Sequence, residues 1–335
     1  MFQPNTGKGQ FLITDRNIQP RIELDKKLDL GEITLHLNPP LNTVPVKDES
    51  EADVGLIIGY PIDLETPGLL KGALMLNGVE PDVQLFEDAL YALAGRYVAL
   101  YNPPTGSKRL YVDSAGSLSC LTNASKGVVA STIELVEDIT LEDVSASSER
   151  WAQRWLEARR NSGNWFPAGL GPIDGWKVVI PNHYLDFTIW ELERHWLPGK
   201  DGEDTNNLTV EDTCREIGRI VGRQIQALAR DHELRIALTA GQDTRSLLAC
   251  GRQFLSSMEF YINWEPNRND VCDVLVGNYL AELFGLEYTI NPSSKSPKVD
   301  LTGYGGGVGR AFYWHKRDTP DESFEVRDVV RRLGY

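Results

Sequence analysis

The sequence predicts a mixed fold, α+β through about the first 200 residues and α/β after them. Three observations predict it. The first half is built of short apolar-rich runs separated by Pro, Asn and Asp clusters, the pattern of strands and turns. The second half alternates strand-like runs with helical periods, the pattern of βαβ units. Within it, Leu234-Arg-Ile-Ala-Leu-Thr-Ala-Gly-Gln-Asp-Thr-Arg-Ser-Leu-Leu-Ala249 joins a buried strand, a turn of small residues and a helix.

Along the first half, Gln10–Thr14, Glu32–Leu37 and Val54–Tyr60 read as strands. Val83, Phe86, Leu90 and Leu93 recur at helical spacing between Asp82 and Ala94, with Asp82 as the cap. After Gly95, Arg96–Tyr101, Arg109–Val112, Leu118–Leu121 and Val128–Ser131 are strand-like, and Asn102–Ser107 suits a hairpin loop. Trp151–Arg160 has a helical pattern, Gly163–Gly175 is a Gly- and Pro-rich connection, and Trp176–Ile180 is an apolar strand. The acidic stretch Pro198–Asn207 reads as an exposed linker. It sets two expected domains, 1–200 and 201–335.

Thr209 starts the next helix, with Asp212 three residues on in a capping-box-like pair. Val210, Cys214, Ile217, Val221, Ile225 and Leu228 share one face and predict packing. Then come the strand Arg235–Leu238, a helix from about Asp243 and the strand Met258–Trp264. A helix through Gly277, Leu280, Ala281 and Phe284 stops at Gly285, and Leu286–Ile290 is a further strand. Parallel strands with right-handed crossovers put a ligand site beyond their C-terminal ends.

The 335 residues allow two sizeable cores, and 41% apolar with 24% charged residues is a globular composition. Lys and Arg total 34 against 48 Asp and Glu, a net charge of −14. That balance argues against nucleic acid or an anionic membrane as partner. No apolar stretch reaches bilayer length, and the N-terminus lacks the basic start and apolar run of a signal peptide. Cys120, Cys214, Cys250 and Cys272 are scattered, so they are expected to be small buried residues in a reduced cytoplasm. The histidines at 36, 183, 195, 232 and 315 suggest no metal set, and His183 is expected to be a structural hydrogen-bonding residue.

The chemistry concentrates in the turn Thr239–Arg245. Ala240 and Gly241 let the backbone approach a ligand, and the open N–H groups of a helix start favour an anion. Thr239 and Thr244 add hydroxyls, Asp243 a carboxylate and Arg245 a positive charge. A carboxylate alone would repel phosphate. A magnesium ion between Asp243 and the phosphate oxygens resolves that conflict, so a nucleotide with its pyrophosphate is the expected ligand.

Thr239-Ala-Gly-Gln-Asp-Thr-Arg245 resembles the Ser-Gly-Gly-x-Asp-Ser pyrophosphate loop of the N-type ATP pyrophosphatases, with Thr, Ala and Thr replacing the first Ser, first Gly and last Ser. Within that superfamily it is most similar to the asparagine synthetase group, which includes the β-lactam synthetases. Leu93–Leu100, Leu110–Gly116 and Val128–Thr132 follow the order of that group's amidotransferase-like N-terminal domain, and Gly175–Asp186 resembles its bridging strand. Asp273-x-x-x-Gly-x-x-x-Ala281 and Phe284–Tyr288 lie where the group has Asp-x-x-x-Ala-x-x-x-Ala and Leu-Gly segments. The resemblance implies a layered β-sandwich with helices, followed by a doubly wound ATP pyrophosphatase domain.

It also implies ATP and Mg²⁺ as ligands. Thr239, Ala240, Gly241, Asp243, Thr244 and Arg245 would hold the phosphates, with Asp243 on the metal. Leu238, Ile262 and Asn263 would contact adenine or ribose, and Gly303 and Gly305 would lie in a second Gly-rich turn. There Gly307 and Val308 replace the group's acidic pair. Phe2 stands where glutamine-using members carry a cysteine, so glutamine hydrolysis is not expected. The group's later helical region has no counterpart before Tyr335, which leaves the catalytic residues unassigned and implies a partial synthetase domain. The implied activity is an ATP-dependent ligation that activates a small-molecule or peptide carboxylate as an acyl-adenylate for attack by an amine. A homodimer or partner chain stays open. The alternative is a nucleotide-binding or scaffold relative that does not complete the reaction.

Overall fold

The computed structural model describes residues 9–16, 18–78, 82–137, 169–171, 173–195, 209–264, 271–292 and 298–301. The expected helix at Trp151–Arg160, the linker Pro198–Asn207 and the Gly-rich turn after Leu301 lie outside them. Among the described residues the fold is mixed α and β, with three sheets and few helices.

The first sheet holds β1 (Phe11–Thr14), β2 (Lys26–Asp29), β3 (Thr34–Leu37), β10 (Leu121–Asn123), β11 (Val128–Ala130) and β12 (Lys177–Val178). Its order is β12-β10-β11-β1-β3-β2, antiparallel throughout. The second holds β4 (Asn42–Lys47), β5 (Asp53–Asp63), β7 (Leu74–Met75), β8 (Leu93–Tyr101), β9 (Arg109–Val112), β13 (His183–Asp186) and β14 (Glu191–Arg194). They run in the order β14-β13-β9-β8-β5-β4-β7, with β6 (Gly68–Leu69) beside β5.

The two sheets pack face to face because their strands alternate. Phe11 and Ile13 of β1 enter a core shared with Ile58, Val98 and Leu110 of the second sheet, while Leu12 faces Ile133 and Trp176 on the other side. On the far face of the second sheet, Ile57, Ala99 and Tyr111 pack against Phe86 and Leu90 of α1 (Val83–Tyr91). Asp82 caps that helix as expected, accepting from the Gln84 amide at 2.9 Å. At Gly95 of β8, a φ of +102° and the absent Cβ leave room for the Tyr60 carbonyl of β5, from which a Cβ would stand only 2.1 Å.

The strand expected at Leu118–Leu121 begins only at Leu121. Upstream, the buried Asp113 carboxylate accepts from the amides of Ala115, Ser117 and Leu118, so a side chain and not a neighbouring strand satisfies that backbone.

The third sheet is parallel: β15 (Leu234–Ala237), β16 (Met258–Ile262), β17 (Tyr288–Ile290) and β18 (Val299–Leu301), in the order β17-β16-β15-β18. Ile236 and Phe260 pair in register and share a core with Ile225 of α2 (Val210–Asp231), Leu248 of α3 (Gln242–Cys250) and Ala281 of α4 (Val271–Phe284). The opposite face is polar. Arg235 pairs with Asp300 through Nη2–Oδ2 at 2.9 Å and lies 4.9 Å over the Tyr261 ring, while Tyr261 donates to Asp300 at 2.9 Å. Among the described residues, then, strand direction agrees with a doubly wound sheet, but the helices cover one face.

The packing face expected along α2 holds only in its second half. Thr209 caps the helix, accepting from the Asp212 amide at 3.1 Å. Val210 is 83% and Ile217 55% exposed, and Cys214 is exposed too, whereas Ile225 is buried. The second half is clamped between the parallel sheet and the sandwich. Ala227 is fully buried against Ile62 and Ala94, Arg223 donates to the Leu64 carbonyl, and Lys71 pairs with Asp231 at 3.1 Å.

The cysteines follow expectation only in part. Cys120 is buried, Cys250 is intermediate, and Cys214 and Cys272 are exposed. Among the described residues no helix is long and apolar enough to cross a membrane.

Candidate functional site

β15 is the strand at which the parallel sheet changes direction of growth: β16 and β17 add on one side, β18 on the other. Loops leaving such a strand border a crevice, the usual place for a ligand on this kind of sheet. The loop that leaves β15 is Leu238–Gly241, and Gly241 is the N-cap of α3.

Local hydrogen bonds shape that turn. Thr239 Oγ1 accepts from the Gly241 amide at 3.1 Å and lies 2.9 Å from Thr244 Oγ1, which is 3.2 Å from the Gly241 carbonyl. Arg245 Nε donates to the same carbonyl at 3.3 Å. A Cβ at position 241 would stand 3.1 Å from Thr239 Oγ1, so a small residue is what lets the two threonines meet. Asp243 lies in the first turn of α3. Its charge there is favoured by the positive end of the helix dipole.

Helix α4 braces the turn from the side. Asp273 Oδ1 accepts from the Ala240 amide at 2.8 Å. One turn further on, Gly277 leaves space for Tyr288 to donate to the Leu238 carbonyl at 3.1 Å. A Cβ at Gly277 would fall 2.3 Å from the Tyr288 hydroxyl and 2.5 Å from that carbonyl. Burial, and secondarily the Asp273 charge, push the Tyr288 phenol up to about 12, so it stays a donor at neutral pH. These three residues were not assigned to the site from the sequence. The spacing of Asp273, Gly277 and Ala281 on one helix face was the available signal, but it carried no information about which loop that face meets.

The other expected residues divide. Leu238 is fully buried, its amide donates to the Tyr261 carbonyl at 2.9 Å, and its own carbonyl takes the Tyr288 bond. Leu238 therefore holds the turn in place and offers neither a polar group nor an open side chain. Ile262, also buried, accepts from the Asn291 amide at 2.7 Å, and Asn263 is exposed at the end of β16, the strand beside β15. Gly303 and Gly305 lie outside the described residues.

The donors present fit a phosphate: two hydroxyls, the amides of a helix start and a turn without bulk. Among the described residues, the carboxylates of Asp243 and Asp273 border the turn against the guanidinium of Arg245. That charge balance calls for a cation alongside any anion. Among the described residues no three His, Cys, Asp or Glu gather as a metal cage. Magnesium asks for less, since it takes one or two carboxylates and completes its shell with phosphate oxygens and water.

His183, expected to be structural, has Nδ1 3.1 Å from the Pro181 carbonyl. No protein-family model matches this chain, and no curated protein matches it either.

Proposed function

We propose that the turn Thr239–Arg245 binds the phosphates of ATP as a magnesium complex. In this reading the chain serves an amide-forming ligation of the asparagine synthetase type. The observation that carries the proposal is the placement of a small-residue turn, two facing threonine hydroxyls and a helix start at the strand where the parallel sheet reverses.

Thr239, Thr244 and the first amides of α3 would hold phosphate oxygens, and Asp243 would share the magnesium ion. Asn263, exposed at the end of the neighbouring strand, would contact the nucleoside. Fixed dipoles and a bound cation stabilise charge on departing pyrophosphate, which is the main service such a loop provides. A carboxylate substrate would take the adenylyl group and pyrophosphate would leave. An amine would then displace AMP. The two facing sheets, antiparallel but for the β4–β7 pair, support an amidotransferase-like scaffold, in which Phe2 would stand where glutamine-using members carry a cysteine. Small-molecule or peptide substrates and a cytoplasmic setting belong to the same proposal.

One observation favours a second reading, nucleotide binding without turnover: the Ala240 amide is already engaged by Asp273. Exchange of labelled pyrophosphate into ATP, run with pools of carboxylates, separates the two. Exchange supports ligation, whereas calorimetric Mg-ATP binding without exchange supports the second reading. No heat with Mg-ATP, and no effect of Asp243→Ala on any binding signal, would overturn both.

A further inference from the structure

A cavity lies where the sandwich meets helix α2. It holds about 460 Å³, within the range of small-molecule sites. Leu90 and Tyr91 of α1, Tyr97 and Tyr111 of the second sheet, His195 and Gln224 of α2 are among its walls. None of its described lining residues is Asp, Glu, Lys or Arg, although 24% of the chain is charged.

Part of the wall is aliphatic and part aromatic, and the aromatic rings are ordered by one another. Tyr91 stacks on His195 with ring centroids 5.9 Å apart and 22° between planes, and its hydroxyl lies 2.9 Å from His195 Nδ1. Tyr111 meets the same imidazole edge-on at 5.3 Å. Tyr111 is itself fixed from behind, donating to Glu87 Oε1 at 2.7 Å. Burial holds the His195 imidazole neutral at physiological pH, with a folded-state value of about 4. The cavity thus combines flat aromatic walls with neutral groups able to donate and accept, His195 and the Gln224 carboxamide. A charged ligand would meet no counter-ion among the described lining residues. A flat neutral one meets ring faces and neutral hydrogen-bonding groups, Ser114 and Asn182 besides His195 and Gln224.

We infer that this cavity is a binding site for an uncharged, planar aromatic small molecule of roughly bicyclic size. It involves none of the phosphate-loop residues, so its test needs no nucleotide.

The probe is 6-propionyl-2-(dimethylamino)naphthalene, which is neutral and planar and fluoresces blue in apolar surroundings. The expected result is a saturable blue-shifted signal accompanied by shifts of the His195 imidazole resonances in the unaltered protein. Ile220→Trp, which fills the cavity from α2, and Gln224→Glu, which puts a charge into it, should each weaken binding at least tenfold. The anionic 8-anilinonaphthalene-1-sulfonate should bind at least tenfold more weakly than the neutral probe. Leu275, 64% exposed on α4, supplies the control, since Leu275→Ser should leave the affinity unchanged. The proposal is overturned by absence of a saturable signal, by unmoved His195 resonances at saturation, by equal binding of the anionic probe, or by loss of binding only in Leu275→Ser. Should Ile220→Trp not fold, the resonance shifts and Gln224→Glu decide.

Discussion

The Ala240 amide donates to Asp273 Oδ1 at 2.8 Å, so a carboxylate on the second crossover helix clasps the turn after the first parallel strand. A phosphate aimed at that turn competes with an anion already in place. Removing the charge while keeping an acceptor should ease the competition. Asp273→Asn is expected to raise the affinity for magnesium pyrophosphate about fivefold, equivalent to roughly 1 kcal/mol. Titration calorimetry checks this, and unchanged or weaker binding would show that the clasp prepares the turn for its ligand.

Gly277→Ala tests the close approach behind the same turn. Alanine favours a helix interior by about 1 kcal/mol over glycine. Against that, its Cβ would sit 2.5 Å from the Leu238 carbonyl, a backbone atom that can retreat only by bending the turn. Overpacking of this kind costs roughly 1–3 kcal/mol, so the expected net change is a loss of up to about 2 kcal/mol in urea unfolding. Adding Tyr288→Phe should restore part of it by removing the hydroxyl. A stabilised Gly277→Ala protein would rule out the contact.

Ala227 tests the seam between sandwich and parallel sheet. It is fully buried against Ile62 and Ala94, where a larger side chain finds no room. Ala227→Leu is expected to lower stability by about 2 kcal/mol. Val210→Ala, at an 83% exposed position of the same helix, should change it by less than about 0.5 kcal/mol. Comparable losses in the two variants, read from denaturant midpoints, would mean that the seam does not carry this helix.

His195 sets a pH dependence. Burial, then the charges of His183 and Arg109, hold its folded-state value at about 4, below an ordinary 6.5. Between those values the unfolded chain binds the extra proton, so stability is complete above about 6.5 and declines as the pH falls toward 4. Glu87 contributes the opposite slope just above its ordinary value of 4.5, because burial raises its carboxyl. Comparing His195→Gln with the parent isolates the histidine. The variant should lose less stability between pH 6.5 and 4.5, and parallel curves would refute the assignment.

Several parts of this fold were legible because local and tertiary preferences agree. β1, β5, β8 and β9 are apolar runs that occupy buried positions, and the turn at Gly241 has the small residues its geometry uses. The missed strands are edges or carry breakers. Among the described residues Lys26–Asp29 pairs only with β3, and it is mostly exposed, so it shows no apolar pattern. Asn42–Lys47 contains Pro45, which argues against a strand until β5 is seen to supply its partner. The apolar face of α2 misled in the other direction, since periodicity marks a face but not whether anything lies against it.

By itself the sequence determined the order of three parallel strands and the two helices between them, and which turn carries hydroxyls, a carboxylate and a helix start together, but not the strand Val299–Leu301. Those are matters of near neighbours in the chain, governed by periodicity, capping and backbone freedom. The tertiary structure alone decided that Asp273, 33 residues beyond Ala240, closes that turn, and that Tyr91, Tyr111, His195 and Gln224 wall one cavity. Such contacts depend on how sheets and helices stack. No local preference encodes which distant side chain will arrive.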